Sequence, residues 1–111
     1  MSVINMRKHK TLPEDAIYVG RWHPKIGYAS DFANPFKVRQ ESERGLSIIK
    51  YEEWLKTQDN LLARLDELRD HDLACWCSPN ACHAHVLEIL LELTDEEIEQ
   101  WRTSRELFTK A

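Results

Sequence analysis

Hydrophobic residues are spaced differently in the two halves of the chain, and the change comes near Gly45. Before it, short apolar runs occur at Val3–Met6 and Ala16–Arg21, and the second run carries the Ile, Tyr and Val side chains that favour strands. After Gly45, apolar positions recur every three or four residues, which is typical of amphipathic helices. The pattern predicts two strands followed by a largely helical region.

Local start signals support the helical positions. Ser47 can cap a first helix, and Asp59 or Asn60 can begin a second. The stretch Thr94–Glu97 matches a capping box and is expected to open a last helix over residues 95–108. The positions expected to face inward share helical spacing: Ile48, Tyr51, Leu55, Leu61, Leu62, Leu65, Leu68, Ile98, Trp101 and Phe108.

Residues 73–91 combine both kinds of pattern. The run Leu73–Cys77 is compatible with a strand, it breaks at Ser78–Asn80, and helical spacing resumes with Val86, Leu87, Leu90 and Leu91. A strand, a tight turn and a helix make half of a βαβ unit, and a helical crossover into this third strand should be right-handed and place it parallel to its neighbour. The sequence therefore predicts a single α/β domain over residues 1–111. We expect a small Rossmann-like sandwich of about three mostly parallel strands with flanking helices.

Composition narrows the class of protein. The 111 residues carry a net charge of −4 and are 42% hydrophobic, as expected for a soluble globular protein. No apolar run is long enough to span a membrane, and the polar N-terminus lacks the apolar centre of a signal peptide. Three cysteines cannot form a complete disulfide framework, which favours a reducing cytoplasm.

Charge is distributed unevenly. Residues 1–50 contain nine Lys or Arg against five Asp or Glu, a net +4, whereas residues 51–111 contain six against fourteen, a net −8. The acidic total argues against indiscriminate coating of nucleic acid. The distribution is compatible with a local cationic pocket built from the first half, where the basic run Arg7–Lys10 follows the first strand.

A long loop is predicted between Trp22 and Gly45. It contains proline, glycine and four aromatic residues, and a loop of this length in a small domain is usually either functional or disordered. The aromatic residues make disorder the less favoured choice. Within the loop, Trp22 is the candidate to stack on a base.

Two cations are expected at the mouth of a pocket. Arg21 ends the second strand directly after Gly20, which would let a ligand approach the backbone closely. Asn34 opens an Asn-Pro-Phe turn that is expected to direct the Lys37 side chain towards this pocket. Because ligands of α/β folds collect at the carboxyl ends of strands, near helix N-termini, we expect these residues to bind an anion there. The alternative is that both cations are ordinary solvated residues.

All three cysteines lie within eight residues, and three interpretations of them stay open. Cys82 and His83 fall in the first turn of the predicted helix, so Cys82 could be a nucleophilic or redox thiol with a histidine as its proton partner. Cys75, Cys77, Cys82 and His83 (or His85) could instead bind zinc in a tetrahedral site. In the third interpretation, Cys75 and Cys77 are small core residues.

The predicted function is binding of a phosphorylated or otherwise anionic ligand, with a nucleotide or a nucleic-acid end as the favoured one. Catalysis stays open, with Cys82, His83 and Cys77 as the candidate catalytic residues. The alternative is a non-catalytic module braced by zinc that contacts protein or nucleic acid. No membrane partner is expected, and the oligomeric state, the substrate and the reaction are not specified by the sequence.

Four motifs resemble those of a family of small bacterial and phage proteins catalogued only as a domain of unknown function. The motifs are Tyr18-Val19-Gly20-Arg21, Asn34-Pro35-Phe36, Tyr51-x-x-Trp54-Leu55 and Cys75-Trp76-Cys77-x-Pro79-x-x-Cys82-His83-x-x-Val86-Leu87. Ala33 stands where that family has a glycine. The last motif is also similar to the Cys-His-Arg helix start of another uncharacterised α/β family, with Ala84 in place of the arginine. The resemblance covers about residues 1–91 and implies the α/β fold and a site at these motifs, but no activity.

Overall fold

The computed structural model of the protein describes residues 3–36, 44–76 and 83–108. Three strands form one parallel sheet: β1 (Val3–Asn5), β2 (Ala16–Tyr18) and β3 (Asp72–Cys75). Their order is β1-β3-β2, so the strand that comes last in the chain lies in the middle. Paired Cα positions are Val3 with Leu73, Asn5 with Cys75, Ala16 with Asp72 and Tyr18 with Ala74. The expected α/β fold with three parallel strands is confirmed.

Because the strands are parallel, their carboxyl ends meet at one edge of the sheet. This edge, called the carboxyl edge below, is formed where β1 ends at Asn5, β2 at Tyr18 and β3 at Cys75. Whatever follows each strand in the chain therefore emerges on the same side of the molecule.

Within the described ranges, four α-helices flank the sheet: α1 (Arg44–Leu55), α2 (Asp59–Ala63), α3 (His83–Leu91) and α4 (Asp95–Thr103). Short 3-10 helices cover Met6–Lys8 and Leu65–Glu67. In the part of the chain that is described, no helix combines the length and the apolar character needed to cross a membrane.

The start of α1 differs from the prediction. Ser47 does not cap the helix, since α1 already begins at Arg44. The Ser47 hydroxyl is instead buried between two distant partners: it donates to the Phe36 carbonyl at 2.6 Å and accepts from Asn34 Nδ2 at 3.0 Å. The Ser47 hydroxyl forms its hydrogen bonds with residues outside α1, so it does not cap the helix. The sequence does not reveal these partners.

The start of α4 is confirmed and its end is corrected. The backbone N–H of Glu97 donates to Thr94 Oγ1 at 3.2 Å and the Thr94 N–H donates to Glu97 Oε1 at 2.9 Å, which completes the predicted capping box. The helix ends at Thr103 rather than at residue 108. Beyond it, the Lys56 ammonium donates hydrogen bonds to the carbonyls of Ser104 and Glu106, each at 2.7 Å. These tertiary bonds hold residues 104–106 against the end of α1.

The two faces of the sheet are covered differently. Residues of all four helices join one large apolar cluster, which packs on the face that carries Val3, Leu73 and Cys75. The opposite face carries Tyr18 and Ala74, and it is covered by side chains outside the α-helices. The residues of this smaller cluster are Ile4, Met6, Leu12, Ala16, Tyr18, Ile26, Ala74 and Trp76. Loop residues therefore bury the second face. Because Ile26 of the loop after β2 is one of them, this loop packs beside the carboxyl edge.

Candidate functional site

The chain leaves β2 through Val19–Arg21, and this segment turns its carbonyl groups towards the protein. The Val19 carbonyl accepts from His83 Nε2 at 2.6 Å, and the Gly20 carbonyl accepts from the Ser30 N–H at 3.0 Å. The Arg21 carbonyl accepts from the Tyr18 hydroxyl. Among the described residues, by contrast, no acceptor is present for the backbone N–H groups of Gly20 and Arg21. Of the two residues, Arg21 is exposed and Gly20 is buried, so the Arg21 N–H is the donor expected to reach an external acceptor.

His83, the first residue of α3, lies beside the end of β2 and is buried, with 6% of its surface exposed. Its ring packs edge-on against Tyr51, with 5.0 Å between ring centroids. Since a carbonyl can only accept, Nε2 must carry a hydrogen in its bond to Val19. Proton transfer or metal binding by this ring would therefore use Nδ1. The proximity of the α3 start to the end of β2 was expected, whereas the bond to Val19 was not visible in the sequence.

Arg21 is exposed, and its guanidinium is held in place by Asn34. Its Nε donates to the Asn34 carbonyl at 2.7 Å. Asn34 is itself buried, and its side chain bonds the Phe36 N–H at 2.9 Å and the Ser47 hydroxyl at 3.0 Å. No carboxylate pairs with Arg21 within the described ranges, so its Nη groups keep their charge uncompensated. Asn34, which we predicted to bind ligand, is placed to position Arg21, and direct ligand contact by its side chain stays a prediction.

Gly20 has a packing role that the sequence did not suggest. A Cβ at this position would lie 2.6 Å from the hydroxyl oxygen of Tyr18, far inside van der Waals contact. The absence of a side chain lets the buried Tyr18 ring cross the backbone and reach the Arg21 carbonyl. Trp76 Nε1 donates to the same hydroxyl at 3.0 Å. The predicted role of Gly20, close approach of a ligand, stays a prediction beside this packing requirement.

Aromatic side chains lie next to the backbone N–H groups of Gly20 and Arg21. Trp22, the predicted stacking residue, is 62% exposed. His23 stacks on Trp76, with ring centroids 4.1 Å apart and planes inclined by 26°. The Lys25 ammonium lies 5.9 Å from the Trp76 ring and donates to the His9 carbonyl at 2.6 Å. The stack of His23 on Trp76 could have been found from the parallel sheet alone, because Trp76 follows β3 at the edge where His23 follows β2.

Five of the nine basic residues of the first half lie on the segments that follow β1 and β2. Residues 5–12 continue from β1 and residues 19–30 continue from β2, and neither stretch contains an Asp or Glu. Their cations are all exposed: Arg7, Lys8, Lys10, Arg21 and Lys25. The edge is therefore cationic although the whole chain carries a net charge of −4.

Several predicted site residues lie outside the described residues, namely Lys37, Cys77 and Cys82. Cys75 is buried, with 1% of its surface exposed, and it belongs to the large apolar cluster. In residues 3–36, 44–76 and 83–108, no three His, Cys, Asp or Glu side chains come together in a way that could hold a metal ion. Zinc binding by Cys75, Cys77, Cys82 and His83 stays a prediction, as does a reactive thiol at Cys82.

A groove of about 270 Å³ is lined by the end of β2, the loop after Tyr28 and the 3-10 helix that follows α2. Arg64, the cation among its described lining residues, bonds Asp31 and Glu67, each at 2.8 Å. These carboxylates raise the pKa of Arg64, and Arg64 in turn lowers the pKa of Glu67. Because the charges compensate one another, the groove attracts an anion much less strongly than the carboxyl edge does.

Comparison with known proteins adds one finding. The family model described as "Domain of unknown function (DUF4326)" matches residues 4–93, which include the sheet apart from Val3, α1 to α3 and every described residue of the carboxyl edge. No curated protein and no solved structure matches the chain. Helix α4 lies beyond the matched region. Since the match covers most of the chain, the protein belongs to the DUF4326 family, a domain of unknown function.

Proposed function

We propose that this protein binds a phosphorylated ligand at the carboxyl edge, with a nucleotide or the end of a nucleic acid as the preferred class. The observation that carries the proposal is the orientation of Val19–Arg21. Its three carbonyls are engaged inside the protein, whereas the N–H groups of Gly20 and Arg21 have no acceptor among the described residues. Backbone N–H groups next to a guanidinium are the donors that phosphate oxygens accept from in many proteins.

Electrostatics support the same ligand class. Arg21 is fixed through Nε to the Asn34 carbonyl, so less side-chain freedom is lost when its Nη groups bind an anion. The stretches that reach the edge from β1 and β2 are free of acidic residues, so the local field attracts anions. The exposed Trp22 ring, one residue from Arg21, offers a surface for a base. A nucleotide would use all three features, while free phosphate would use only the first two.

The proposal concerns binding. Acid–base or nucleophilic chemistry by Cys82, His83 and Cys77 is a further hypothesis. So are a second cation at Lys37 and the alternative of a zinc-braced interaction module. A cytoplasmic location and a bacterial or phage origin complete the proposed setting.

The test compares Arg21→Ala with the wild-type protein, using isothermal titration calorimetry with a nucleoside 5′-monophosphate and with inorganic phosphate. A charge-assisted contact contributes roughly 1.5–3 kcal/mol, so Arg21→Ala should weaken nucleotide binding about tenfold or more. Arg21→Lys should fall between the two, because lysine keeps the charge but loses the planar fork. Thermal stability should change little, since the Arg21 side chain is exposed.

Arg105→Ala serves as the matched control, because it removes one exposed cation from the segment after α4. Its nucleotide affinity should equal that of the wild type. A wild-type protein that binds neither probe would overturn the proposal. Equal affinities for the wild type and Arg21→Ala would do the same.

A further inference from the structure

The cationic surface of the carboxyl edge extends well beyond Arg21. Along the sheet order, Arg21 follows β2 on one side, Trp76 follows β3 in the middle, and the basic segment Arg7–Lys10 follows β1 on the other side. Lys25 joins the basic segment, since its ammonium donates to the His9 carbonyl at 2.6 Å. The edge thus presents cation, aromatic ring and cation in that order.

The two cationic groups follow strands that are not neighbours in the sheet. Neighbouring strands lie roughly 4.8 Å apart, so the ends of β1 and β2, with β3 between them, are separated by about 10 Å. Arg21 is held by Asn34 and Lys25 by the His9 carbonyl, which favours two separate positions for anions. A mononucleotide would therefore leave one of the two groups unused, whereas a ligand with consecutive phosphates would occupy both.

The aromatic residues favour unpaired bases. Trp22 is 62% exposed and directly follows Arg21, and the His23–Trp76 stack adjoins it. Stacking on such rings requires a base face that is not already covered by neighbours in a duplex. Building on the proposed function, we infer that the carboxyl edge binds single-stranded nucleic acid, with bases on these rings and consecutive phosphates on Arg21 and on the basic segment.

Fluorescence anisotropy of a fluorescein-labelled oligothymidylate of about ten nucleotides tests this inference, since single-strand sites commonly cover about 4–16 nucleotides. Unlabelled thymidine 5′-monophosphate and a duplex of the same length are the competitors. The unlabelled oligonucleotide should displace the labelled one at a concentration at least tenfold lower than either of these competitors. Trp22→Ala should weaken oligonucleotide binding by roughly tenfold.

The basic segment is tested with the double variant Arg7→Ala/Lys8→Ala. It should weaken oligonucleotide binding about tenfold or more and leave the affinity for the monophosphate unchanged. Each lost phosphate contact lowers the slope of log K against log salt by about 0.7 for a single strand, so the slope should fall by roughly 1.4. Lys50→Ala/Arg105→Ala is the matched control, because it removes the same charge from exposed positions of α1 and of the segment after α4.

Different results separate this inference from the proposed function. If the monophosphate binds as tightly as the oligonucleotide and still depends on Arg21, the single-strand inference is wrong and the proposed function stands. Equal competition by the duplex, or an unchanged salt slope in the Arg7/Lys8 variant, also overturns the inference. If neither probe binds, both are wrong.

Discussion

The strongest stability prediction concerns Glu52, a carboxyl group on α1 with none of its surface exposed. Its Oε2 accepts from Trp101 Nε1 of α4 at 2.7 Å and from the Phe108 N–H at 2.6 Å. The Phe108 ring stacks on the Trp101 indole with centroids 5.4 Å apart. One carboxylate oxygen of α1 thus bonds both α4 and the segment after it, in addition to the bonds from Lys56 to Ser104 and Glu106, and Glu52→Ala removes this link.

The size of the stability loss follows from the two N–H donors that Glu52→Ala leaves without this acceptor. The Trp101 N–H is buried and loses its acceptor, Glu52 Oε2, which costs about 1.5–3 kcal/mol. The Phe108 N–H is part-buried and can be hydrated, so its loss adds about 1 kcal/mol or less. The higher helix propensity of alanine returns a few tenths of a kcal/mol. The net effect should be a loss of about 3 kcal/mol, a large share of the roughly 5–15 kcal/mol by which domains are stable.

Urea unfolding, monitored by tryptophan fluorescence and extrapolated linearly to water, measures this loss. Glu52→Gln keeps an acceptor at the same position and should cost about 1 kcal/mol. Hydrogen exchange should further show that residues 95–108 lose protection in Glu52→Ala while β3 stays protected, because the broken bonds lie at the C-terminal segment.

Glu53→Ala is the matched control, since it makes the same chemical change at the next position of α1, where the side chain is exposed. It should alter stability by less than about 0.5 kcal/mol. A loss below about 1 kcal/mol for Glu52→Ala, or equal losses for the two variants, would refute the assignment of Glu52 as the tie between α1 and the C-terminal segment.

Two further predictions concern the support of the candidate site. Gly20→Ala should lower the free energy of unfolding by about 1–3 kcal/mol, because its Cβ would lie 2.6 Å from the Tyr18 hydroxyl; an unchanged midpoint in urea would contradict this packing role. Ser47→Ala should cost about 1–3 kcal/mol, because Asn34 Nδ2 then loses a buried partner, and nucleotide affinity should fall as well if Asn34 positions Arg21; a loss of stability without any change in affinity would show that the site does not depend on this support.

Much of the architecture follows from local sequence signals. The strand-like runs and the helical spacing predicted the sheet and the helices, because side-chain periodicity is set by the geometry of each element. The α4 capping box was predicted because its two bonds join residues only three apart. The meeting of the loop after β2 with the start of α3 also followed, since parallel strands bring their carboxyl ends to one edge.

Other features required the tertiary structure. The end of α4 at Thr103, the position of Ser47 inside α1 and the central place of β3 have no local signal. The same holds for the site: His83 bonds Val19 across 64 residues, and Trp101 bonds Glu52 across 49. A buried polar group must find a partner, but the sequence states only the need and not which partner the packed chain brings within reach. The sequence by itself thus determined the elements and the edge where a site could form, and only the packing decided which side chains support that site and which donors it keeps available.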